Sequence, residues 1–292
     1  MKMKQACVGC ILEQSRRVAS VIGADEKLTD ELYSTVEVMS EEFTLELSPP
    51  EEAASVYANM ARIAKMPDLF KEIKKISTTR ALEFIPYLKE KIESSNDKFL
   101  AATKAAVAGN VIDLASQVQF DLTQEVEKVF DMPFGLDDTK ELYNRFKSAK
   151  KVLYIGDNAG EHIFDKLYIE ILKELFPNII VTYLTRGVPI INDITFSEAI
   201  ESGLDEVAQV VDSGVNTPGF VKENVNEKTL NLYENADLII AKGMGNYETM
   251  EGLKGRAIFF LLKVKCEVVA ESLGQNVGDI VCKISVNKKS IH

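Results

Sequence analysis

Asp157, Asn158 and Asp193 stand in two short polar stretches that follow apolar runs, and together they carry the hard oxygen donors that suit magnesium or manganese. Two carboxylates and one amide are too few for a closed cage, so positions would stay open for water and a phosphate. Arg186 and Lys242 follow two further apolar runs and could neutralise phosphate oxygens. The glycines of Gly156-Asp157-Asn158-Ala159-Gly160-Glu161 and of Lys242-Gly243-Met244-Gly245-Asn246 would bring backbone N–H groups and a helix start to the same anion. Each feature has a structural alternative. A Gly-Asp-Asn turn after a strand can be only a turn, Asp193 can cap a helix beginning near Ile194, Arg186 can be a solvated charge, and the glycines around Lys242 can serve backbone geometry alone. What joins them is position, because all fall at one edge of one expected sheet.

That sheet is expected from Val152-Leu153-Tyr154-Ile155, Ile179 to Leu184, Val207 to Val211, Leu238 to Ala241, Ile258 to Val264 and Ile280 to Ile284, with helical segments between most of them. Alternation at this spacing predicts an α/β fold with a Rossmann-like, mostly parallel sheet in the C-terminal half. In such sheets ligands bind outside the carboxyl ends of the strands, where the polar stretches lie. The first half reads as a multihelical domain. Val18, Val21 and Ile22, then Leu32, Val36, Met39 and Phe43, recur at helical spacing, and Ser48-Pro49-Pro50-Glu51-Glu52 opens a helix that runs to about Lys65, where Met66-Pro67 breaks it. Helices over Asp68 to Ile92 and Lys98 to Leu114 follow. The expected division is 1–149 helical and 150–292 α/β.

The chain has 292 residues, 46% of them hydrophobic, enough for a substantial core, and its 34 basic against 45 acidic residues leave a net charge of -11. That balance opposes a nucleic-acid backbone or an anionic membrane surface as partner, while leaving room for a local cationic pocket that takes one small phosphate ester. No apolar run is long enough to span a bilayer, and Met1 to Val8 opens into a polar helix instead of a secretory segment, so a cytoplasmic location is expected. Cys7, Cys10, Cys266 and Cys282 are too few for a disulfide scaffold.

The motifs Gly156-Asp157-Asn158-Ala159-Gly160-Glu161, Arg186-Gly187 with Asn192-Asp193-Ile194-Thr195, and Lys242-Gly243-Met244-Gly245-Asn246-Tyr247-Glu248 resemble those of the damage-control phosphatases, domain-of-unknown-function family 89. The likeness is to their compact archaeal and bacterial branch, and Cys7-Val8-Gly9-Cys10 and Ala108-Gly109-Asn110-Val111-Ile112-Asp113 extend it over nearly the whole chain. The resemblance implies a phosphatase acting on small metabolites, sugar phosphates or damaged phosphorylated intermediates, with manganese, cobalt, nickel or magnesium. It implies Asp157, Asn158 and Asp193 as metal ligands, Lys242 as a phosphate holder, and Asn110 and Asp113 as part of a helical segment that closes over the pocket. Without it, Asn110 and Asp113 read equally as a helix end broken at Gly109.

Asp157 is the candidate catalytic residue. It either attacks phosphorus itself or ligates a metal that activates a water; the water route is favoured, because no acid–base partner for a second covalent step stands next to it in sequence. Two other classes compete. A methyltransferase binding S-adenosylmethionine would use the Val152–Gly160 strand and turn, but the dense G-x-G-x-x-G spacing is missing and Arg186 stands where an acidic residue would meet the ribose. A non-catalytic metal-binding interaction protein would use the same ligands without turnover. His162 is an extra metal-ligand candidate, although a histidine there more often just starts a helix surface, and His292 is terminal. Zinc binding, redox sensing and simple packing all remain open for Cys7 and Cys10. Changing both to serine should alter stability or oxidation sensitivity more than the chemical step. A folded, stable double variant that keeps its metal but loses turnover would contradict that assignment.

Overall fold

A computed structural model describes residues 1–111 and 122–285. The strands are β1 (Phe134–Asp137), β2 (Lys151–Ile155), β3 (Ile180–Thr185), β4 (Gln209–Asp212), β5 (Leu238–Lys242), β6 (Ile258–Lys263) and β7 (Ile280–Ile284). They form one sheet in the order β1-β7-β6-β5-β2-β3-β4. β6, β5, β2, β3 and β4 are parallel; β7 runs antiparallel to β6, and β1 pairs parallel to β7. The expected α/β class and mostly parallel sheet are therefore present. β1 is a strand the sequence pattern does not announce: Phe-Gly-Leu-Asp is too short to show alternation, and its partner among the described residues, β7, lies far along the chain.

Helices α4 (Lys71–Glu93), α5 (Lys98–Val111) and α8 (Glu161–Leu175) cover one face of the sheet, and α8 is buried along most of its length. The other face is covered by α10 (Glu227–Asn235), α11 (Gly243–Met250) and α12 (Glu267–Leu273). The strands between these layers are apolar on both sides, as a doubly covered sheet requires. α1 (Gln5–Val21), α2 (Glu26–Ser40) and α3 (Pro49–Ala64) make a separate cluster around Val18, Leu32, Val36, Val56 and Met60. α3 begins as its sequence suggests: Glu51 reaches back to the Ser48 backbone N–H at 2.8 Å, two prolines open the helix, and Lys65 ends it in a left-handed conformation. Among the described residues no helix is long and apolar enough to cross a membrane.

One buried ion pair fastens α4 to the site side of the sheet. Lys74, on the first turn of α4, lies 2.6 Å from Asp68 and 2.7 Å from Glu198, and only 1% of its side chain is exposed. Glu198 in turn caps the short helix α9 (Phe196–Glu201) by accepting from the Thr195 N–H at 3.0 Å. Lys74→Met should destabilise the fold by about 3 kcal/mol in urea denaturation, because two carboxylates lose their shared cation. Adding Glu198→Gln to that variant should cost clearly less than Glu198→Gln alone, and additive losses would show that the pair is not coupled.

Candidate active site

The chain runs β2, β3, β4 in one direction across the sheet and then returns to β5 and β6 on the other side of β2. The order reverses between β2 and β5, which opens a crevice at their carboxyl ends. Asp157 follows β2 after one glycine, and Lys242 ends β5. Asp193 arrives from the segment after β3 through backbone pairing: Ala159 N–H donates to Asn192 O at 2.8 Å and Ile194 N–H to Asp157 O at 2.9 Å, setting Asn158 opposite Asp193. Asp157, Asn158 and Asp193 are thus brought together. Asp193 does not cap a helix; Thr195 holds that place for α9.

Two amides organise the carboxylates. Asn110, near the end of α5, donates through Nδ2 to Asp157 Oδ2 and to Glu161 Oε2, both at 3.0 Å, and its Oδ1 accepts from Lys263 N–H at 3.2 Å. Asn158 Nδ2 donates to the same two oxygens, at 2.7 Å and 3.0 Å. Its nitrogen is spent within the protein, which leaves the amide oxygen as the atom for a cation. Asp113 lies outside the described residues.

Arg186 is buried, so it is not a solvated charge. Its Nε donates to Asp193 Oδ2 at 2.6 Å, while Nη2 makes no hydrogen bond and sits 3.6 Å from Asp157 Oδ1. Lys242 is also fully buried. Its ammonium donates to the carbonyl of Ala106 at 2.9 Å and to Asp165 Oδ1, and makes an ion pair with Glu161 Oε1 at 2.8 Å, so its charge is satisfied within the protein. Tyr154 and Tyr183 also donate to Asp165, at 2.6 Å and 2.9 Å. Gly243 answers to a contact: with φ of 75° it lies so near Asp157 that a methyl group there would fall 1.9 Å from Oδ2.

Charge does not balance in this cluster. Asp157, Glu161, Asp165 and Asp193 are buried with Arg186 and Lys242, four carboxylates against two cations. Burial pushes the Asp157 carboxyl well above the usual carboxylate range, the charges of Glu161 and Asp193 push it further, and Arg186 and Lys265 pull the other way. Burial also raises Glu161, but Lys242 and the two amides outweigh it and hold that carboxyl below its usual value. Burial leaves Asp193 raised despite Arg186. A divalent cation held by Asp157, Asn158 and Asp193 would remove the excess, and an all-oxygen donor set fits such an ion. Among the described residues no group of three or more His, Cys, Asp or Glu side chains is placed to hold a metal ion, so a cation here would have to draw on the amide oxygen of Asn158 beside the two carboxylates.

The roles of Glu161 and Asp165 are missing from the sequence reading. The available signal was two acids four residues apart at the start of α8, one helical face turned toward the strand tips. His162 turns away from the cluster: its Nδ1 accepts from Gly160 N–H at 3.0 Å and its Nε2 meets Ser202 Oγ at 2.9 Å. The four cysteines are free thiols; Cys7 and Cys282 are buried and Cys10 is exposed.

Burial holds the His162 imidazole neutral, its pKa lowered to about 4. The unfolded chain therefore takes up this proton first as pH falls. His162 should cost the fold roughly 3 kcal/mol progressively between about pH 6.5 and pH 4, with no cost above that window. Denaturant midpoints at pH 7 and pH 4.5 measure it, and His162→Gln should flatten the slope over that range. An equal slope in the variant would assign the acid sensitivity elsewhere.

Known proteins resemble this chain over nearly its whole length. A damage-control phosphatase of Pyrococcus horikoshii is 32% identical over 286 residues, covering 97% of this chain and 98% of that protein. A damage-control phosphatase of Archaeoglobus fulgidus is 30% identical over 290 residues, covering 97% and 99%. The crystal structure of a family-89 protein from Pyrococcus horikoshii superposes with a TM-score of 0.90 at 31% identity, over 98% of this chain and 100% of that one. The sequence profile of the damage-control phosphatase ARMT1-like domain matches residues 3–281, and the chain belongs to that family.

Proposed function

We propose that this protein is a metal-dependent phosphatase that hydrolyses phosphate monoesters of small metabolites, sugar phosphates or damaged phosphorylated intermediates, in the cytoplasm. The observation that carries the reading is the buried cluster in which four carboxylates face two cations. A divalent cation would offset that excess and let the carboxylates stay ionised, and two carboxylates and one amide leave positions open for a phosphate. The oxygen-only donors favour magnesium or manganese, with cobalt and nickel as the ions to compare.

When bound, a divalent ion supplies fixed positive charge to phosphate oxygens as negative charge shifts toward the leaving group. The protein's own groups do the rest. Arg186 keeps Asp193 in place through Nε and has Nη2 free to donate to a phosphate oxygen. Asn110 and Asn158 fix the Asp157 carboxylate from two sides, so its orientation is set before substrate arrives. Lys242 acts from behind, holding Glu161 as an anion and so keeping an acceptor for both amides. Asp157 serves as a ligand that orients water, and not as a nucleophile: its Oδ2 already accepts two N–H donors and its Oδ1 faces Arg186.

Stripping divalent ions with a chelator should abolish phosphate release from sugar phosphates, and readdition should restore it. Asp157→Asn should lower turnover roughly a hundredfold or more while the fold survives. Rapid-quench labelling should trap no acid-stable, hydroxylamine-sensitive adduct on Asp157. Full turnover in stripped protein, or near-normal turnover in a folded, metal-loaded Asp157→Asn variant, would end this reading; a trapped adduct would replace the water by the carboxylate as attacking group.

A further inference from the structure

The opposite end of the sheet carries a cavity that the phosphatase reading leaves unused. It measures about 680 Å³, within the range of small-molecule sites, and opens where β2, β5 and β6 begin and the antiparallel β7 ends. Its lining joins the apolar Ala149, Ala236 and Ile239 to the charged Arg145, Arg256 and Asp237. β5 spans five residues, which puts this cavity roughly 15 Å from the Lys242 end of that strand. The local charge runs against that of the whole chain. Residues 145–151, from the last turn of α7 (Thr139–Phe146) to the start of β2, hold four cations and no carboxylate, and Lys254 stands two residues before Arg256, in a chain of net charge -11.

Arg256 is half-buried and enters no ion pair among the described residues. Its backbone is held, because Ser285 Oγ accepts from the Ile258 N–H at 2.9 Å and donates to the Arg256 carbonyl at 3.4 Å. Its charge acts on Asp237 at the start of β5 and on Tyr233 and Glu234 in the last turn of α10, which places the guanidinium between that strand and that helix. Among the described residues Arg145 spends only Nε, on Glu141 at 2.7 Å. Asp237 is fixed in turn: its Oδ2 accepts from the N–H groups of Lys150 and Lys151 at 2.9 Å and 2.8 Å. Those bonds hold its carboxyl below the usual range, so it stays an anion and keeps Oδ1 as an acceptor.

We propose that this cavity is a second ligand site, separate from the crevice, for a small metabolite that carries both an oxyanion, carboxylate or phosphate, and a hydroxyl. The forked guanidiniums of Arg256 and Arg145 take the oxyanion, since arginine pairs bidentately with such groups, and Asp237 accepts the hydroxyl. Asp237 also selects. A carboxylate set among the cations repels an anion that has nothing to donate, so a bare inorganic anion is the wrong ligand here.

The test is calorimetry on the full-length, manganese-loaded protein with L-malate, with isethionate as a tetrahedral oxyanion bearing a hydroxyl, and with succinate, which lacks the hydroxyl. L-Malate or isethionate should bind saturably, and the tighter of the two names the oxyanion. Arg256→Gln should weaken that binding roughly tenfold, the scale of one charge-assisted hydrogen bond, and adding Arg145→Gln should weaken it further. Arg256→Lys should recover only part of the loss, because an ammonium lacks the fork. Succinate should bind more weakly than L-malate, and neither hydroxy-anion should compete with p-nitrophenyl phosphate for turnover. No saturable binding of either to wild type, equal affinity in wild type and the double variant, or competition with the ester would overturn the site. Equal affinity for succinate and L-malate would overturn the role of Asp237. These titrations decide the site whether or not the protein hydrolyses the ester.

Discussion

One ammonium buried between two carboxylates holds the upper half of this molecule together. Lys242 ends the central strand β5, accepts the charge of Glu161 and Asp165 from α8, and donates to the last turns of α5 through Ala106. Taking these groups out of water is expensive, and the arrangement survives because the ammonium donates to Ala106 O and Asp165 and pairs with the charge of Glu161, while Tyr154 and Tyr183 donate to Asp165 and Asn110 and Asn158 to Glu161 Oε2. Strand, covering helix and helical half are thereby locked at one point. Breaking such a triad by removing one member costs about 3–5 kcal/mol, a large share of a typical folding free energy.

The same point decides where chemistry can happen. With Lys242 inside, Glu161 is neutralised from behind, and the residual negative charge falls on Asp157 and Asp193 at the open side. The reversal of strand order sets the turn after β2 beside the turn after β5, and the absence of a side chain at Gly243 lets the two approach within contact distance. Helix α8 starts directly under the site, so its first-turn glutamate points into the cluster while the adjacent histidine turns away to Ser202 just past α9. One helical phase thus separates a functional residue from a structural one.

Much of this is written in local pattern. The doubly covered strands appear as uninterrupted apolar runs, and the polar stretches that end them lie at the site because a parallel sheet aligns its carboxyl ends. Asp157, Asn158 and Asp193 could be singled out on that basis, before any side chain had been placed. β1 could not, since four residues including a glycine carry no period. The antiparallel course of β7 was equally hidden: an apolar run shows that a strand exists and is silent about direction. Lys242 reads from the sequence as a cation for the substrate phosphate because it follows a strand, and the convergence of two acids from α8 on its ammonium is not visible in local pattern.

The small core of α1, α2 and α3 includes Ile190 and Val268, with Ile191 and Cys266 packed at its edge. The first pair of neighbours, Ile190 and Ile191, leads into Asp193, and Cys266 closely follows Lys263, whose N–H donates to Asn110 Oδ1. Both walls of the crevice are therefore clamped by a helical cluster that contributes none of the ligands. Local opening of that cluster, far easier than global unfolding, would release both walls together. In native-state hydrogen exchange the backbone amides around Ile190 and Val268 would then share one opening free energy with those of α1 to α3, making the crevice a cooperative part of a unit whose stability is set elsewhere.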